Sequence, residues 1–264
     1  MSLGIAIKGP EGLVLAAESR ITLSAKNPQG ADIHVNFDNA TKLFSFSEPN
    51  VFFGAVTYGV AAIGFRTAHS FIPEFEASLP KERMTIQDFS TKLSAFFLNQ
   101  WQSGMPVNYQ GPNMTFVVAG FNEAEPYGRI FVIDIPREPT PIEQSPNPGE
   151  FGITWGGQRE FVDRLIQGFD FRLPDKVAES LKLSSSQVQA MKQALGGFQM
   201  QIPLNAMPLQ DCVDLAMFFV KTTIIAQRLT VGIRGCGGPI DVAIITRRGG
   251  LQFIRQKQIK GEVD

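Results

Sequence analysis

Residues 2–20 read SLGIAIKGPEGLVLAAESR, and this stretch decides the fold. Apolar residues alternate along its first half, which is the period-two pattern of a β-strand, and a second apolar run follows a Gly-Pro turn. The pattern predicts a β-hairpin. If Pro10 and Glu11 are the centre of its turn, Ser2 lies opposite Ser19, with Glu18 and Arg20 as neighbours. We therefore expect these residues inside the fold and not in a disordered tail.

Ser2 follows the initiator methionine, and its small side chain predicts that methionine aminopeptidase removes Met1. A terminal serine carries a hydroxyl and an α-amine whose pKa is roughly 7.7–8.0. A hydroxyl needs an adjacent base before it can act as a nucleophile, and this amine is one candidate. The hairpin thus predicts a nucleophile, a base and two charged side chains in one place.

The composition is that of an ordinary globular protein. The 264 residues are 44% hydrophobic and 19% charged, and the net charge is −1. Lys and Arg form no stripe, which argues against a nucleic-acid partner, and no apolar run reaches the length of a membrane span. No secretory signal and no convincing linker are visible, so we expect a cytoplasmic protein with one domain over residues 1–264.

Cysteine and histidine are scarce. Cys212 and Cys236 are the only cysteines, which gives no disulfide framework and predicts two reduced thiols. His34 and His69 are the only histidines, and no Cys or His pair has ligand spacing. The sequence therefore predicts neither a metal site nor a cofactor.

Hairpins alternate with helices along the rest of the chain. Apolar runs predict strands, periodic apolar stripes predict helices, and Gly- and Pro-rich stretches predict loops. This order favours an α+β fold with antiparallel sheets over a parallel, doubly wound fold. Strands are expected over 41–46, 51–56, 114–120, 129–134, 152–155, 240–246 and 251–254, helices over 60–79, 85–101, 158–168, 184–195 and 208–227, and loops over 103–113 and 136–148, with longer loops at about 24–40 and 172–206.

These segments resemble, in this order, the proteasome β-type subunits, which are N-terminal-nucleophile hydrolases. The first hairpin is similar to the family's opening. NATKLFSF at 39–46 resembles the strand that bears the active-site lysine, and MTFVVAGFNEAEPYGRIFVIDI at 114–135 the central hairpin. MPLQDCVDLAMFFVKTTIIAQR at 207–228 resembles the last long helix, and GCGGPIDVAIITRRGGLQFI at 235–254 the closing strand pair. The resemblance spans nearly the whole chain and is nearest to bacterial relatives of the HslV and Anbu types. It implies a four-layer αββα sandwich of two antiparallel sheets between helix layers.

The resemblance also implies a set of site residues. Ser2 matches the family's terminal threonine, Glu18 the acid that orients the lysine, and Lys42 the active-site lysine. Arg20 matches a supporting arginine. The family's oxyanion donor is a backbone amide just after the strand at 51–56, which places it at Thr57, with Gly59 as a second possibility.

Two supporting elements depart from the family pattern. Cys236 and Ile233 stand where the family has a serine and an aspartate that support the terminal amine. Trp155-Gly156-Gly157 stands where the family has a Gly-Ser-Gly element, and it lacks the serine. The primary set of Ser2, Glu18 and Lys42 is complete.

The implied function is a self-compartmentalising peptidase subunit, which hydrolyses peptides or unfolded proteins through an acyl-enzyme on Ser2. The implied assembly is a homo-oligomer, either a ring or a helical stack. Two alternatives remain open at this point: a catalytically inactive scaffold subunit with the same fold, and a peptide ligase or transpeptidase that passes the same acyl group to an amine.

Overall fold

A computed structural model describes residues 2–26, 29–30, 32–232 and 234–259. Its strands are β1 (Leu3–Lys8), β2 (Leu13–Glu18), β3 (Ile21–Lys26), β4 (Asp32–Phe37), β5 (Leu43–Ser45), β6 (Phe53–Gly59), β7 (Ala62–Ile63), β8 (Arg66–Thr67), β9 (Met114–Gly120), β10 (Arg129–Ile135), β11 (Glu138–Gln144), β12 (Gly152–Gly157), β13 (Ile240–Thr246) and β14 (Gly250–Arg255). Its α-helices are α1 (Ile72–Ala77), α2 (Ile86–Gly104), α3 (Glu160–Ile166), α4 (Leu173–Leu181), α5 (Ser185–Gly196) and α6 (Leu209–Leu229).

The first hairpin pairs in the predicted register. Gly4 lies opposite Ala17 and Lys8 opposite Leu13, so Pro10 and Glu11 are the centre of the turn. The Gly9 amide donates to the Gly12 carbonyl at 3.0 Å and closes that turn. Every residue of β1 and β2 is buried, which explains why apolar residues dominate both strands.

Two five-stranded antiparallel sheets form the centre of the molecule. Sheet A has the order β12-β1-β2-β13-β14, and sheet B has the order β11-β10-β9-β6-β5. The predicted α+β class with antiparallel sheets is confirmed. Since β1 and β2 occupy the middle of sheet A, the start of the chain is held on both sides by neighbouring strands.

Three apolar clusters hold the sheets and helices together. One joins the sheets to each other, with Leu15 from sheet A and Val56 and Val117 from sheet B. A second packs α1 and α2 on sheet B, and a third packs α3 and α6 on sheet A. Helices therefore cover both sheets, and each cluster removes apolar surface from water.

The two long helices begin and end close to their predicted bounds. Thr85 is the N-cap of α2 and accepts from the Asp88 amide at 3.1 Å, while its hydroxyl donates to the Asp88 carboxylate at 2.7 Å. Helix α6 begins directly after Pro208, as expected for proline at a helix start. None of the helices in the described ranges is long and apolar enough to cross a membrane.

The loop predicted at 24–40 is largely wrong. Strands β3 and β4 pair over Ile21–Lys26 and Asp32–Phe37 and form a separate two-stranded hairpin, the β3–β4 arm. Apolar residues alternate in β4, and this signal was outweighed by the turn residues between the strands. Residues 27, 28 and 31 of that turn lie outside the described residues.

The predicted helix at 60–79 is mostly wrong as well. A small hairpin of β7 and β8 occupies its first half, with Gly64 at a φ of +57° in the turn. The helical part is confined to a 3-10 turn at Ala68–Phe71 and to α1, which has Pro73 in its first turn. Proline is compatible with that position and not with the middle of a longer helix.

Two other expected loops contain regular structure. Residues 138–144 form β11 despite two prolines, and this is tolerated because β11 is an edge strand whose outer amides need no partner. The long loop at 172–206 contains α4 and α5, with α5 close to the helix expected at 184–195. Ser184 and Gln187 form a capping box at its start, a signal visible in the sequence.

Phe89 tests the packing of α2 on sheet B. Its ring lies 4.7 Å from that of Phe46 and 4.9 Å from that of Phe53, and the side chain is fully buried. We expect Phe89→Ala to lower the free energy of unfolding by about 3–5 kcal/mol, measured by urea denaturation. Phe65→Ala is the matched control, since Phe65 is fully exposed and its loss should cost under about 0.5 kcal/mol. Similar losses for both variants would contradict this packing.

Candidate active site

Lys42 brings the predicted site residues together. It lies just before β5, and its Nζ donates to Ser2 Oγ at 2.8 Å. The same ammonium donates to Glu18 Oε1 and to the carbonyl oxygen of Arg20. Ser2, Glu18 and Lys42 are 4%, 0% and 4% exposed, so the three groups meet in a buried place. All three donors of the lysine ammonium have partners.

Glu18 is held by the backbone as well as by Lys42. Its carboxylate accepts from the amides of Leu3 at 3.3 Å, Arg20 at 2.7 Å and Gly237 at 3.0 Å. These donors come from β1, from the short connection between β2 and β3, and from the segment before β13. A buried carboxylate is stable when it is paired and hydrogen-bonded in this way.

The main chain of Ser2 is fixed by the neighbouring edge strand. Its carbonyl oxygen accepts from the Gln158 amide at 2.7 Å. Gly157 has a φ of +89°, and a Cβ at this position would lie 1.8 Å from that carbonyl oxygen. Glycine is thus required where β12 ends beside Ser2.

Buried Gln227 on α6 connects this end of β12 with the loop before β13. Its amide group donates to Gln158 Oε1 at 2.8 Å and accepts from the Cys236 amide at 2.8 Å. Because Gln158 itself holds Ser2, helix α6 contributes to the placement of the nucleophile candidate. Neither glutamine is predicted from the sequence, since nothing in a single sequence links positions 158 and 227.

The backbone of Arg20 contacts Glu18 and Lys42, whereas its side chain binds Asp38. The guanidinium donates to Asp38 through Nε at 2.5 Å and through Nη2 at 2.7 Å. This pairing raises the pKa of Arg20 and lowers the pKa of Asp38, and hydrogen bonding between the two is the main cause in each case. Asp38 belongs to the segment expected as a loop and is not among the predicted site residues.

The amide of Thr57 is not free to bind an oxyanion. It donates to the Lys42 carbonyl oxygen at 2.9 Å, which extends the pairing of β6 with β5. The placement of the donor at Thr57 is therefore corrected. The Val60 amide donates to Asn113 on the β9 side, and strand amides alternate in direction, so the Gly59 amide is directed to the β5 side. Gly59 stays a prediction for the oxyanion donor.

Gly59 has no room for a side chain. Its φ is +95°, and a Cβ would lie 2.0 Å from the Asn113 carbonyl oxygen. The requirement for glycine at the end of β6 keeps the chain close to β9 while it turns away from β5.

Cys236 is buried near the charged groups. Burial is the main cause that raises the pKa of its thiol well above the usual value, and the negative charge of Glu18 acts in the same direction. The thiol is therefore protonated at neutral pH. Ile233, the other position where the sequence departs from the proteasome pattern, lies outside the described residues.

A small cavity opens beside the Ser2 hydroxyl. Lys42 is at one end, and Ile21, Val60, Ala61 and Ala68 are among its walls. A wider cleft shares Val60 and Ala61 with this cavity and continues between the β3–β4 arm and residues 104–112. The cleft and the cavity beside Ser2 therefore meet at these two residues.

Tyr58 also lines the cavity. Burial raises the pKa of its phenol to about 12, so this side chain stays protonated at neutral pH and supplies no base. Within the described part of the chain, no group of three or more His, Cys, Asp or Glu side chains is arranged to hold a metal ion.

Solved structures of two Anbu proteins are similar to this chain. An Anbu (Gly-1) mutant from Hyphomicrobium sp. strain MC1 matches with a TM-score of 0.57 and 15% sequence identity, over 97% of this chain and 86% of its own. Anbu from Yersinia bercovieri, described as an ancestral β-subunit, matches with a TM-score of 0.54 and 15% identity, over 97% of this chain and 88% of its own. The chain has the Anbu fold.

The Anbu likeness confirms, at the level of the fold, the bacterial proteasome-type resemblance inferred from the sequence. No family model and no curated protein matches the sequence. In this Anbu fold, the site described above lies where the first hairpin of sheet A meets the end of β6 in sheet B.

Gly157 tests the placement of Ser2. Gly157 and Gly149 both have positive φ, but a Cβ at Gly149 would meet nothing within 4 Å. We expect Gly149→Ala to cost about 1–3 kcal/mol for its backbone conformation alone. Gly157→Ala should cost at least about 2 kcal/mol more in urea denaturation, because its Cβ collides with Ser2. Equal losses for the two variants would show that Ser2 is not held against β12.

The two thiols test the burial around the site. Burial raises the pKa of Cys212 to about 11, and burial also raises the pKa of Cys236 well above its usual value. At pH 8 we expect both thiols of the folded protein to react with a disulfide reagent at least about 100-fold more slowly than in guanidinium chloride. Fast reaction of Cys236 in the folded protein would contradict its burial and make it a rival nucleophile.

Proposed function

We propose that this chain is a peptidase subunit in which Ser2, made terminal by removal of Met1, attacks peptide bonds. The observation that carries the proposal is the 2.8 Å hydrogen bond from Lys42 Nζ to Ser2 Oγ, in a buried site where Glu18 binds the same ammonium. Nucleophile, cation and orienting acid are the groups that acyl transfer by an N-terminal nucleophile requires. Met1 itself lies outside the described residues.

The reaction begins when Ser2 Oγ bonds to the carbonyl carbon of a peptide. Its proton passes either to the Ser2 α-amine through a water molecule or to Lys42 in its neutral form, and the carbonyl electrons move onto oxygen. Collapse of this intermediate breaks the C–N bond, and the leaving amine takes the proton. Water then hydrolyses the serine ester, with the α-amine as base.

The Gly59 amide is the proposed donor to the developing oxyanion. This proposal is supported by the direction of the amide away from β9, by the left-handed backbone at Gly59 and by the cavity that Ser2, Val60 and Ala61 line together. One such donor contributes roughly 3–4 kcal/mol to the stabilisation of the transition state in other enzymes.

The substrate is proposed to be a peptide or an unfolded protein, bound in the cleft that continues from the Ser2 cavity. Within each subunit, we propose that the layers are stacked as an αββα sandwich. The three apolar clusters support this order of layers.

We propose that the subunits form a cytoplasmic homo-oligomer. Exposed apolar side chains support self-association: Leu23, Val35 and Phe37 on the β3–β4 arm, and Leu181 and Phe198 near α4 and α5.

Mutation of Ser2 tests the proposed chemistry. We expect Ser2→Ala to reduce hydrolysis of fluorogenic peptides by at least about 100-fold, because no other hydroxyl contacts Lys42 Nζ in the described residues. Ser47→Ala, which changes an exposed loop serine, is the control and should retain full activity. The intact mass of the wild-type protein should lack Met1 and should increase by one equivalent of a β-lactone probe, located on Ser2.

Each other outcome has a distinct meaning. Full hydrolysis by Ser2→Ala, or a mass that retains Met1, contradicts the proposal. A protein that lacks Met1 yet takes up no probe and hydrolyses no peptide is the inactive scaffold subunit. An added amine acceptor that captures most of the acyl group in a new amide identifies a ligase or transpeptidase.

A further inference from the structure

Asp38 binds Arg20 in a geometry that leaves the guanidinium little freedom. Both carboxylate oxygens accept hydrogen bonds, from Nε at 2.5 Å and from Nη2 at 2.7 Å. The remaining terminal nitrogen, Nη1, donates to the Arg234 carbonyl oxygen at 3.3 Å. A planar guanidinium held by a bidentate carboxylate is more rigid than a single ion contact.

The backbone of the same arginine contacts both charged residues of the site. Its amide donates to Glu18 Oε2 at 2.7 Å, and its carbonyl oxygen accepts from Lys42 Nζ. A shift of Arg20 would therefore change the positions of the Glu18 carboxylate and the Lys42 ammonium together.

The segment at residues 18–20 and the segment at residues 38–42 are connected at three points. Asp38 pairs with Arg20 at one end, and Lys42 pairs with Glu18 at the other. Between them, the Ala40 amide donates to the Ser19 carbonyl oxygen at 2.9 Å. Residues 18–20 and 38–42 thus form one connected unit, which we call the bracket. Ser2 contacts this bracket through Lys42.

Two glycines allow this bracket to close. A Cβ at Gly237 would lie 2.4 Å from Arg20 Cζ, and a Cβ at Gly238 would lie 2.2 Å from the Asp38 carbonyl oxygen. Gly238 also has a φ of +73°, so glycine is required there for its conformation as well. The turn before β13 is therefore shaped to admit both members of the pair.

We propose that Asp38 is a positioning residue for the Ser2 site, which acts through Arg20 to hold Lys42 and Glu18 in contact with the Ser2 hydroxyl. The role in catalysis rests on the proposed function, whereas the positioning of Lys42 does not. Asp38 is ionised at neutral pH, since its contact with Arg20 lowers its pKa. It supplies a carboxylate to Arg20 from the residue that directly follows β4.

The first measurement follows Lys42 directly. Asp38→Asn keeps the size of the side chain and removes its charge, and Glu143→Gln removes the charge from another bidentate pair, with Arg129, at 2.7 and 2.5 Å. Brief acetylation with acetic anhydride, read by peptide mass spectrometry, reports access to Lys42 relative to exposed Lys221. We expect Asp38→Asn to raise Lys42 acetylation about fivefold or more, and Glu143→Gln to leave it unchanged.

The second measurement is steady-state hydrolysis of a fluorogenic peptide by the same variants. A positioning role predicts that kcat falls roughly 10- to 100-fold for Asp38→Asn while KM stays within about twofold. Glu143→Gln should retain both values. Where Asp38→Asn unfolds before the assay temperature, Arg20→Lys replaces it, because lysine keeps the charge and loses the bidentate contact.

The two measurements separate the outcomes. Unchanged Lys42 acetylation, or a KM effect without a kcat effect, overturns the positioning role of Asp38. Increased Lys42 acetylation in a protein whose wild type hydrolyses nothing supports the positioning role and refutes the proposed function instead. Equal acetylation of Lys42 in Asp38→Asn and Glu143→Gln overturns it as well, because the effect is then one of lost charge in general.

Discussion

The buried pair of Lys42 and Glu18 is the constraint on which the rest of the structure depends. Removing both ions from water costs several kcal/mol each, and breaking such a pair leaves one charge without compensation, at about 3–5 kcal/mol. The fold meets this cost by giving every donor of the ammonium an acceptor and by directing backbone amides from three segments at the carboxylate. The first hairpin, the start of β5 and the turn before β13 consequently cannot move independently. The ion pair is therefore no evidence for catalysis by itself, because the fold would need it even in an inactive subunit. The hydrogen bond that points to chemistry is the one from Lys42 to Ser2.

Contact between the two sheets places the end of β6 beside Ser2. Tyr58 packs against sheet A where two of its strands carry glycine. A Cβ at Gly4 would lie 2.9 Å from the tyrosine ring, and a Cβ at Gly156 would lie 2.1 Å from its hydroxyl oxygen. The absence of side chains at these two positions lets the ring lie close to β1 and β12. Tyr58 and the following residues Val60 and Ala61 consequently line the cavity beside Ser2. Gly156 also explains one departure from the proteasome pattern, since a serine there would collide with Tyr58.

Local patterns predicted the parts of the fold that depend on neighbouring residues. The Gly-Pro turn set the register of the first hairpin, and Thr85 with Asp88 marked the start of α2, because both signals act within a few residues. Errors arose where tertiary position decides the outcome. Prolines in β11 are acceptable only because that strand lies at the edge of sheet B, and sequence alone does not show which strand is at an edge. The Thr57 amide was misassigned for a similar reason. The amides of Thr57 and Gly59 point to the same side of β6, because strand amides alternate in direction. Which of the two is free therefore depends on how far the pairing of β5 with β6 extends.

The residues that act on the site through other side chains are the hardest to predict from the sequence. The physical reason is that an ion pair depends on distance in space and not on distance along the chain. Arg20 requires a carboxylate within hydrogen-bond distance, but the chain position of that carboxylate has no effect on the energy of the contact. A comparison of motifs looks for residues at fixed spacings, so it gives no acidic partner for the Arg20 side chain. The structure supplies Asp38 from another segment, 18 residues after Arg20, where the chain returns from the β3–β4 arm. Gln227 likewise connects segments that are distant in the sequence. Its buried side-chain amide forms hydrogen bonds both with Gln158 after β12 and with the loop before β13. A residue that acts on the site through another side chain is therefore found from the fold and not from the spacing of a motif.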